Sequence, residues 1–358
     1  MLELLPLPFI FPANQRLYGA ENVTVHGPKV FVELIQNNTS YTEIRAGFDD
    51  LINDKQYQNA KKGMYWYELT SQNITYAGVV LGIPVSCFQK KLITTHENTL
   101  PKRVKLFTSY LDQTKIQTEP LIVLHEEKGF TSFLSKGINL RQACHEFTLK
   151  DEIHRLWHLT EKEKEQVSKM AQKQLIFHLA DGHHRLESTI QFALNQNIDL
   201  PVQCMLLEKN QIRQGQFIWA LKKQLKGIDL QVQIEKHKAK QLTEYDDTHR
   251  IIKINHEGIV SQLEVPTNEN PAIFLVEKLL NLNLDTDKVH RYFDYFPVNE
   301  STEGLMSNTN SKYQATMIFS KIPIDEVISR AKLNQILPPK STYLHPKLPT
   351  GLIVSPFE

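Results

Sequence analysis

Residues 181–185 read Asp-Gly-His-His-Arg. This places a carboxylate, two imidazoles and a guanidinium around a single glycine. Arg185 can offer a two-pronged fork to a phosphate, and His183 and His184 can hydrogen-bond phosphate oxygens or move protons near neutral pH. Asp181 can bind Mg2+ or accept a substrate proton. Gly182 lets the backbone turn and approach a ligand closely. The set suits phosphate handling with an acid at its lip. A plainer reading needs no ligand: Asp181 caps the helix that follows, and the histidines form an exposed turn. Zinc fits poorly, because adjacent histidines do not readily aim both rings at one ion and no HExxH or HxH partner lies nearby.

Two other stretches carry side chains able to do chemistry. In THENTLPKR, residues 95–103, His96 and Glu97 precede a helical pattern with Lys102 and Arg103 in its first turns. Glu97 can serve as a general base, or as an acid favoured at a helix start. In PPKSTYLHPK, residues 338–347, Lys340, Ser341 and Thr342 offer a cation and two hydroxyls suited to a phosphate or a carboxylate. The alternative for that stretch is a rigid closing loop.

The elements around Asp181 explain why the position matters. LIFHLA, 175–180, reads as a short buried strand, and LESTIQFALNQN, 186–197, as a helix with Leu186, Ile190, Ala193 and Leu194 on one face. A strand that hands over to a helix exposes backbone N–H groups whose dipole favours negative charge. MYWYELT and TYAGVVLG read as a hairpin around SQN; PLIVLHEE and VQCMLLE read as buried strands. Residues 151–174 read as an acidic-to-basic helical region with a capping-box spacing from Thr160 to Glu163. FIWALKKQLKG reads as a basic helix, HRIIKINHEGIVSQLEV as a charged hairpin, and Asp325 as the N-cap of a late helix. These patterns predict a mixed α/β chain in three segments: 1–85, a core at 86–208, and a C-terminal α/β part at 209–358.

Composition narrows the classes. The chain has 358 residues, 41 Lys plus Arg against 40 Asp plus Glu, and a net charge of +1, which argues against bulk nucleic-acid binding. Cys87, Cys144 and Cys204 are scattered, with no CxxC, so a reducing cytoplasm is the expected setting. The opening MLELLPLPFIFP lacks a basic n-region and a small-residue cleavage site, so it is not read as a signal peptide, and no apolar run reaches membrane-spanning length.

Taken together, HE-x-T, a strand followed by DGHHR, and PPKST near the C-terminus resemble the free-serine kinases of the ParB/sulfiredoxin-like superfamily. The longer text YAGVVLGIPV, LITTHENTLPKR, EPLIVL, LADGHHRLEST and LPPKSTYLHPKLPTGLIV is similar to the domain of unknown function 1015 family. Leu186 departs from it, standing where that family commonly has tyrosine. The resemblance implies a ParB/sulfiredoxin-like core and phosphoryl transfer from ATP or ADP, with Mg2+, to a small hydroxylated metabolite such as free serine. It makes Glu97 the base, beside His96. Asp181 becomes the motif aspartate and metal ligand. Gly182, His183, His184 and Arg185 form the phosphate turn, with Arg103 nearby, and Lys340, Ser341 and Thr342 a loop closing over the substrate. A nucleotide-binding switch without turnover, or a phosphohydrolase, stays open as an alternative. Neither nucleic acid nor membrane is expected as a partner, and the oligomeric state stays open.

Overall fold

The computed structural model describes residues 1–17, 28–37, 40–223, 230–237, 250–266, 269–282, 289–298, 304 and 312–357. The chain divides into two compact units. Unit 1 comprises Met1–Thr95, Lys102–Ile212 and Pro346–Glu358; unit 2 comprises His96–Pro101 and Arg213–His345.

Unit 1 is built on nine strands: β1 (Arg16–Leu17), β2 (Tyr65–Ser71), β3 (Ile74–Pro84), β4 (Ile93–Thr94), β5 (Leu121–His125), β6 (His145–Leu149), β7 (Glu152–His158), β8 (Phe177–Asp181) and β9 (Pro201–Glu208). Their order across the sheet is β1-β6-β7-β2-β3-β9-β5-β8-β4. β5 and β9 run parallel, β8 runs antiparallel to β5, and β2 and β3 form the hairpin expected around SQN. All five residues of β5, and residues 202–208 of β9, are buried, as a strand covered on both faces requires. Leu81, Val123, Leu179, Leu206 and Phe192 belong to one apolar core.

The grouping differs from the division expected at 85/86. β3 pairs with β2 on one side and with β9 on the other, so the hairpin lies inside the large sheet. The satisfied ladder on both edges of β3 leaves no seam there. Within 151–174 a strand, β7, comes first; the helix α3, defined below, starts only at Glu161.

In unit 1, α1 (Tyr41–Asn53) belongs to a smaller cluster with Ile10, Phe31 and Tyr57, while α2 (Pro101–Thr114, its first residue assigned to unit 2), α3 (Glu161–Lys173) and α4 (His183–Gln196) pack on the core of the sheet. The Thr160–Glu163 capping box forms, with the Thr160 backbone N–H donating to the Glu163 carboxylate at 2.8 Å. The buried face of α4 includes Leu186, Thr189, Phe192 and Ala193. Leu194, expected on that face, is exposed, because the stripe follows 186, 189 and 193 and turns 194 toward solvent.

Unit 2 holds a five-stranded sheet of β10 (Phe217–Lys222), β11 (Arg250–His256), β12 (Ile259–Val265), β13 (Phe293–Pro297) and β14 (Tyr313–Phe319), ordered β12-β11-β14-β10-β13. FIWALK, expected to be helical, is the strand β10. Ile218, Trp219, Ala220 and Leu221 are all buried, so the run is covered on both faces and its β-branched and aromatic residues pair with β13 and β14. The hairpin in HRIIKINHEGIVSQLEV is present as β11 and β12. The late helix, α5 (Ile324–Lys332), is capped by Pro323; Asp325 sits in its first turn, where the helix dipole favours an acid. Among the described residues no helix is long and apolar enough to cross a membrane.

Candidate functional site

β8 ends at Asp181, and the register with β5 shifts between Leu179 and Asp181. Such a bulge re-aims the side chains beside it. Gly182 follows in the left-handed region, with φ of 99°, and is the N-cap of α4. The cap is therefore the glycine rather than Asp181, and no side chain caps this helix start. An L-residue at 182 would be strained, and its Cβ would collide with the Leu121 side chain. The local sequence thus pins Asp181 at a sharp strand-to-helix turn, with its side chain 24% exposed.

Asp181 is gripped from two sides. Arg185 Nη2 donates to Oδ2 at 2.9 Å, and Lys347 Nζ pairs with Oδ1. Arg185 Nη1 also donates to the carbonyl oxygens of Glu119 and Pro120, both at 3.0 Å, and lies 3.1 Å from the Glu119 carboxylate. Thr350 donates its hydroxyl hydrogen to the other Glu119 oxygen. His183 is buried at the start of α4, and His184 is half-buried beside it. The Ser188 hydroxyl of α4 is shared between the His184 carbonyl of its own helix at 2.7 Å and the Val104 carbonyl of α2 at 3.1 Å, which brings the two helices into contact there. Arg103, next to Val104, is exposed. Asp181, Gly182, His183, His184, Arg185 and Arg103 therefore all belong to unit 1.

The other two motifs meet in unit 2. Glu97 and Leu337 form a parallel bridge; Asn98 N–H donates to the Leu337 carbonyl at 2.9 Å, and Leu337 N–H to the His96 carbonyl at 2.7 Å. This lays THENT beside PPKST. Thr342 Oγ1 stands 3.0 Å from His96 Nε2 and donates to Glu97 Oε2 at 3.3 Å. His96 is buried and Glu97 half-buried. Lys340 has a left-handed backbone, with φ of 65°; its carbonyl accepts from Trp219 Nε1 at 3.1 Å, and its ammonium lies 5.2 Å from the Phe217 ring centre. Ser341 Oγ is buried and lacks a hydrogen-bond partner, and it borders a cavity of about 20 Å³, room for one water.

Asp181 suits a hard divalent cation, being a half-exposed oxygen ligand. Among the described residues no group of three or more His, Cys, Asp or Glu could cage a metal ion. The fit is to a cation that arrives with phosphates and takes one protein carboxylate, as Mg2+ commonly does.

Sequence reasoning missed Lys347 and Glu119. Lys347 sits within the quoted HPKLPTG text, but nothing local signals a partner 166 residues away.

No curated protein matches the chain by sequence. Among solved structures, it is similar to SbnI with a C-terminal truncation from Staphylococcus aureus, at 14% identity over 74% of this chain and 82% of that one, with a TM-score of 0.41. It is also similar to a free serine kinase in complex with AMP, at 11% identity over 77% and 91%, TM-score 0.45. A conserved hypothetical protein from Pyrococcus furiosus matches at 12% identity over 76% and 93%, TM-score 0.43. Likeness at this level is a resemblance in chain path, and no function follows from it. The sequence pattern of one family, the proteins of unknown function DUF1015, matches residues 20–215, more than half of the chain, and the chain belongs to that family.

Proposed function

We propose that the protein is a small-molecule kinase that transfers a phosphoryl group from ATP or ADP to a hydroxylated metabolite, with free serine the leading acceptor. The observation that carries this reading is the turn at Asp181–Gly182. A buried strand runs through a left-handed glycine into a helix start that no side chain caps, with a doubly held carboxylate at its edge. Such a turn offers backbone N–H groups and a favourable dipole to phosphate oxygens.

In this reading the phosphates lie against the start of α4, where His183 and His184 hydrogen-bond their oxygens. Arg185, expected to fork a phosphate, is committed instead to Asp181, Glu119 and the 119–120 backbone, and is proposed to fix the orientation of the Asp181 carboxylate. Asp181 would hold Mg2+, which supplies charge neutralisation on the phosphates when bound. Within unit 2, Glu97 is the proposed base for the acceptor hydroxyl; its carboxylate accepts from the Thr342 hydroxyl, which also lies against His96. Lys340 offers its charge to the acceptor's carboxylate from the same loop as Ser341, whose buried hydroxyl faces a space for one water, and Arg103 adds positive charge for the nucleotide. Positioning and charge stabilisation then do most of the work, as in other phosphoryl transfers.

The test is direct. Purified protein is incubated with Mg2+, ATP or ADP, and serine or a pool of hydroxylated metabolites, and products are read by mass spectrometry. The expected result is a phosphorylated product that disappears in Asp181→Ala and Glu97→Ala. Nucleotide binding without any product would replace the kinase reading with a nucleotide switch. Phosphate release from a phosphorylated metabolite without nucleotide would replace it with a phosphohydrolase.

A further inference from the structure

Lys347 has no part in the scheme above, yet it is paired with Asp181. The backbone that carries it is well anchored. Gly351 N–H donates to the Thr118 carbonyl at 2.8 Å, Tyr57 donates to the Gly351 carbonyl at 2.8 Å, and Ser355–Pro356 pairs with Ile116–Gln117. All of these residues belong to unit 1.

The two cations on Asp181 differ in their freedom to leave. Arg185 also serves two backbone carbonyls and Glu119, so moving it would strip several acceptors at once. Lys347 is a compact point charge on a flexible four-carbon stem, and its side chain is 36% exposed, against 22% for Arg185. Its ammonium can turn from one oxygen to another while its backbone stays fixed.

The geometry gives that turn a purpose. Among the ion pairs of this cluster, Arg185 is shared between Asp181 and Glu119, whereas Lys347 pairs with Asp181 through the carboxylate oxygen that Arg185 does not take. A divalent cation and an ammonium compete for the same carboxylate oxygen, and the doubly charged ion is the stronger competitor. If Asp181 held such a cation, Lys347 would lose its partner oxygen and its ammonium would be available to phosphate charge.

We infer that Lys347 is an ion-exchange residue: it holds Asp181 until a metal–nucleotide complex displaces it, and then neutralises phosphate charge. The inference rests on the metal–nucleotide reading of the Asp181 site proposed above. It makes the contribution of Lys347 to nucleotide binding conditional on the metal, which neither a structural lysine nor a constant phosphate contact would do.

The experiment is a two-by-two cycle. ADP affinity is measured by titration calorimetry for the wild type and Lys347→Met, each with Mg2+ and with EDTA, and thermal midpoints confirm folding. With EDTA the substitution should change affinity less than about twofold; with Mg2+ it should weaken binding about tenfold, so the enhancement by Mg2+ shrinks by a similar factor. An equal loss in both conditions, or no loss in either, overturns the inference. Lys347→Gln, which can still hydrogen-bond Asp181, replaces the methionine variant if that one unfolds, with the same expectation. Should the wild type bind no ADP in either condition, the proposed function falls, and the inference with it. Should it bind in a Mg2+-dependent way while Lys347→Met loses affinity equally with and without the metal, only the inference falls.

Discussion

Asp181 in unit 1 and Glu97 in unit 2 are both half-buried carboxylates on short turns, but they keep different company. Asp181 is gripped by Arg185 and Lys347, while Glu97 accepts from Thr342, whose hydroxyl also lies against His96. Hydrogen bonds between ionised partners are roughly twice as strong as neutral ones, so Asp181 is a positioned charge. Glu97 stands in a chain of hydroxyl and imidazole groups that can donate or accept by turn, the setting of a proton acceptor. Residue type alone does not distinguish the two acids; their partners do, and under the proposed kinase reading those partners assign one acid to holding charge and the other to moving a proton.

The comparison can be broken from the Asp181 side first. Asp181→Asn keeps the shape and removes the charge that Lys347 pairs with, while Arg185 keeps Glu119. Affinity for Mg2+–nucleotide should fall about a hundredfold by calorimetry, an effect comparable to removing a charged partner at a partly buried site. Wild-type affinity in this variant would mean that the carboxylate does not serve the nucleotide. A smaller effect is expected on the other side. Thr342→Val removes the hydroxyl between His96 and Glu97, which should lower turnover about tenfold while leaving nucleotide affinity unchanged, in line with the loss of one hydrogen bond. A parallel loss of nucleotide affinity would erase the distinction between the two acids.

Acid sharpens the comparison from a third place. His125 is buried at the end of β5 remote from Asp181, which is registered with Ile122. Burial lowers its pKa from 6.5 to about 4, against the pull of Glu208 and Glu127. Because the folded pKa lies below the unfolded one, the unfolded chain binds more protons between those values. The contribution is fully present above the unfolded pKa and is lost as pH falls toward the folded one. Between pH 7.5 and 5 this amounts to about 2 kcal/mol. Urea unfolding of wild type and His125→Phe at the two pH values should show a steeper loss in the wild type. Equal slopes would place the acid sensitivity elsewhere.

Much of the Asp181 half was legible because its signals are local. The apolar run ending at Asp181, the glycine, and the resumed helical spacing mark the strand, the turn and the helix in consecutive text. The Thr160–Glu163 box and the Tyr65–Pro84 hairpin were legible for the same reason. What the sequence hid was non-local. Thr342 reaches Glu97 across 245 positions and Lys347 reaches Asp181 across 166, and no periodicity or spacing reports such pairings. FIWALK misled because its basic neighbours suggested an amphipathic helix, whereas the pairing of β10 with β13 and β14 decides its form. Whether Gly182 or Asp181 caps α4 turns on a backbone dihedral, which residue type alone leaves open.

The division of labour is tested most directly by Glu97→Gln, with turnover and nucleotide affinity measured on the same preparation. If Glu97 moves the proton and Asp181 holds the charge, turnover falls at least about a hundredfold while Mg2+–nucleotide affinity stays within about twofold of wild type. Near-normal turnover, or a loss of nucleotide affinity as large as that of Asp181→Asn, would contradict it.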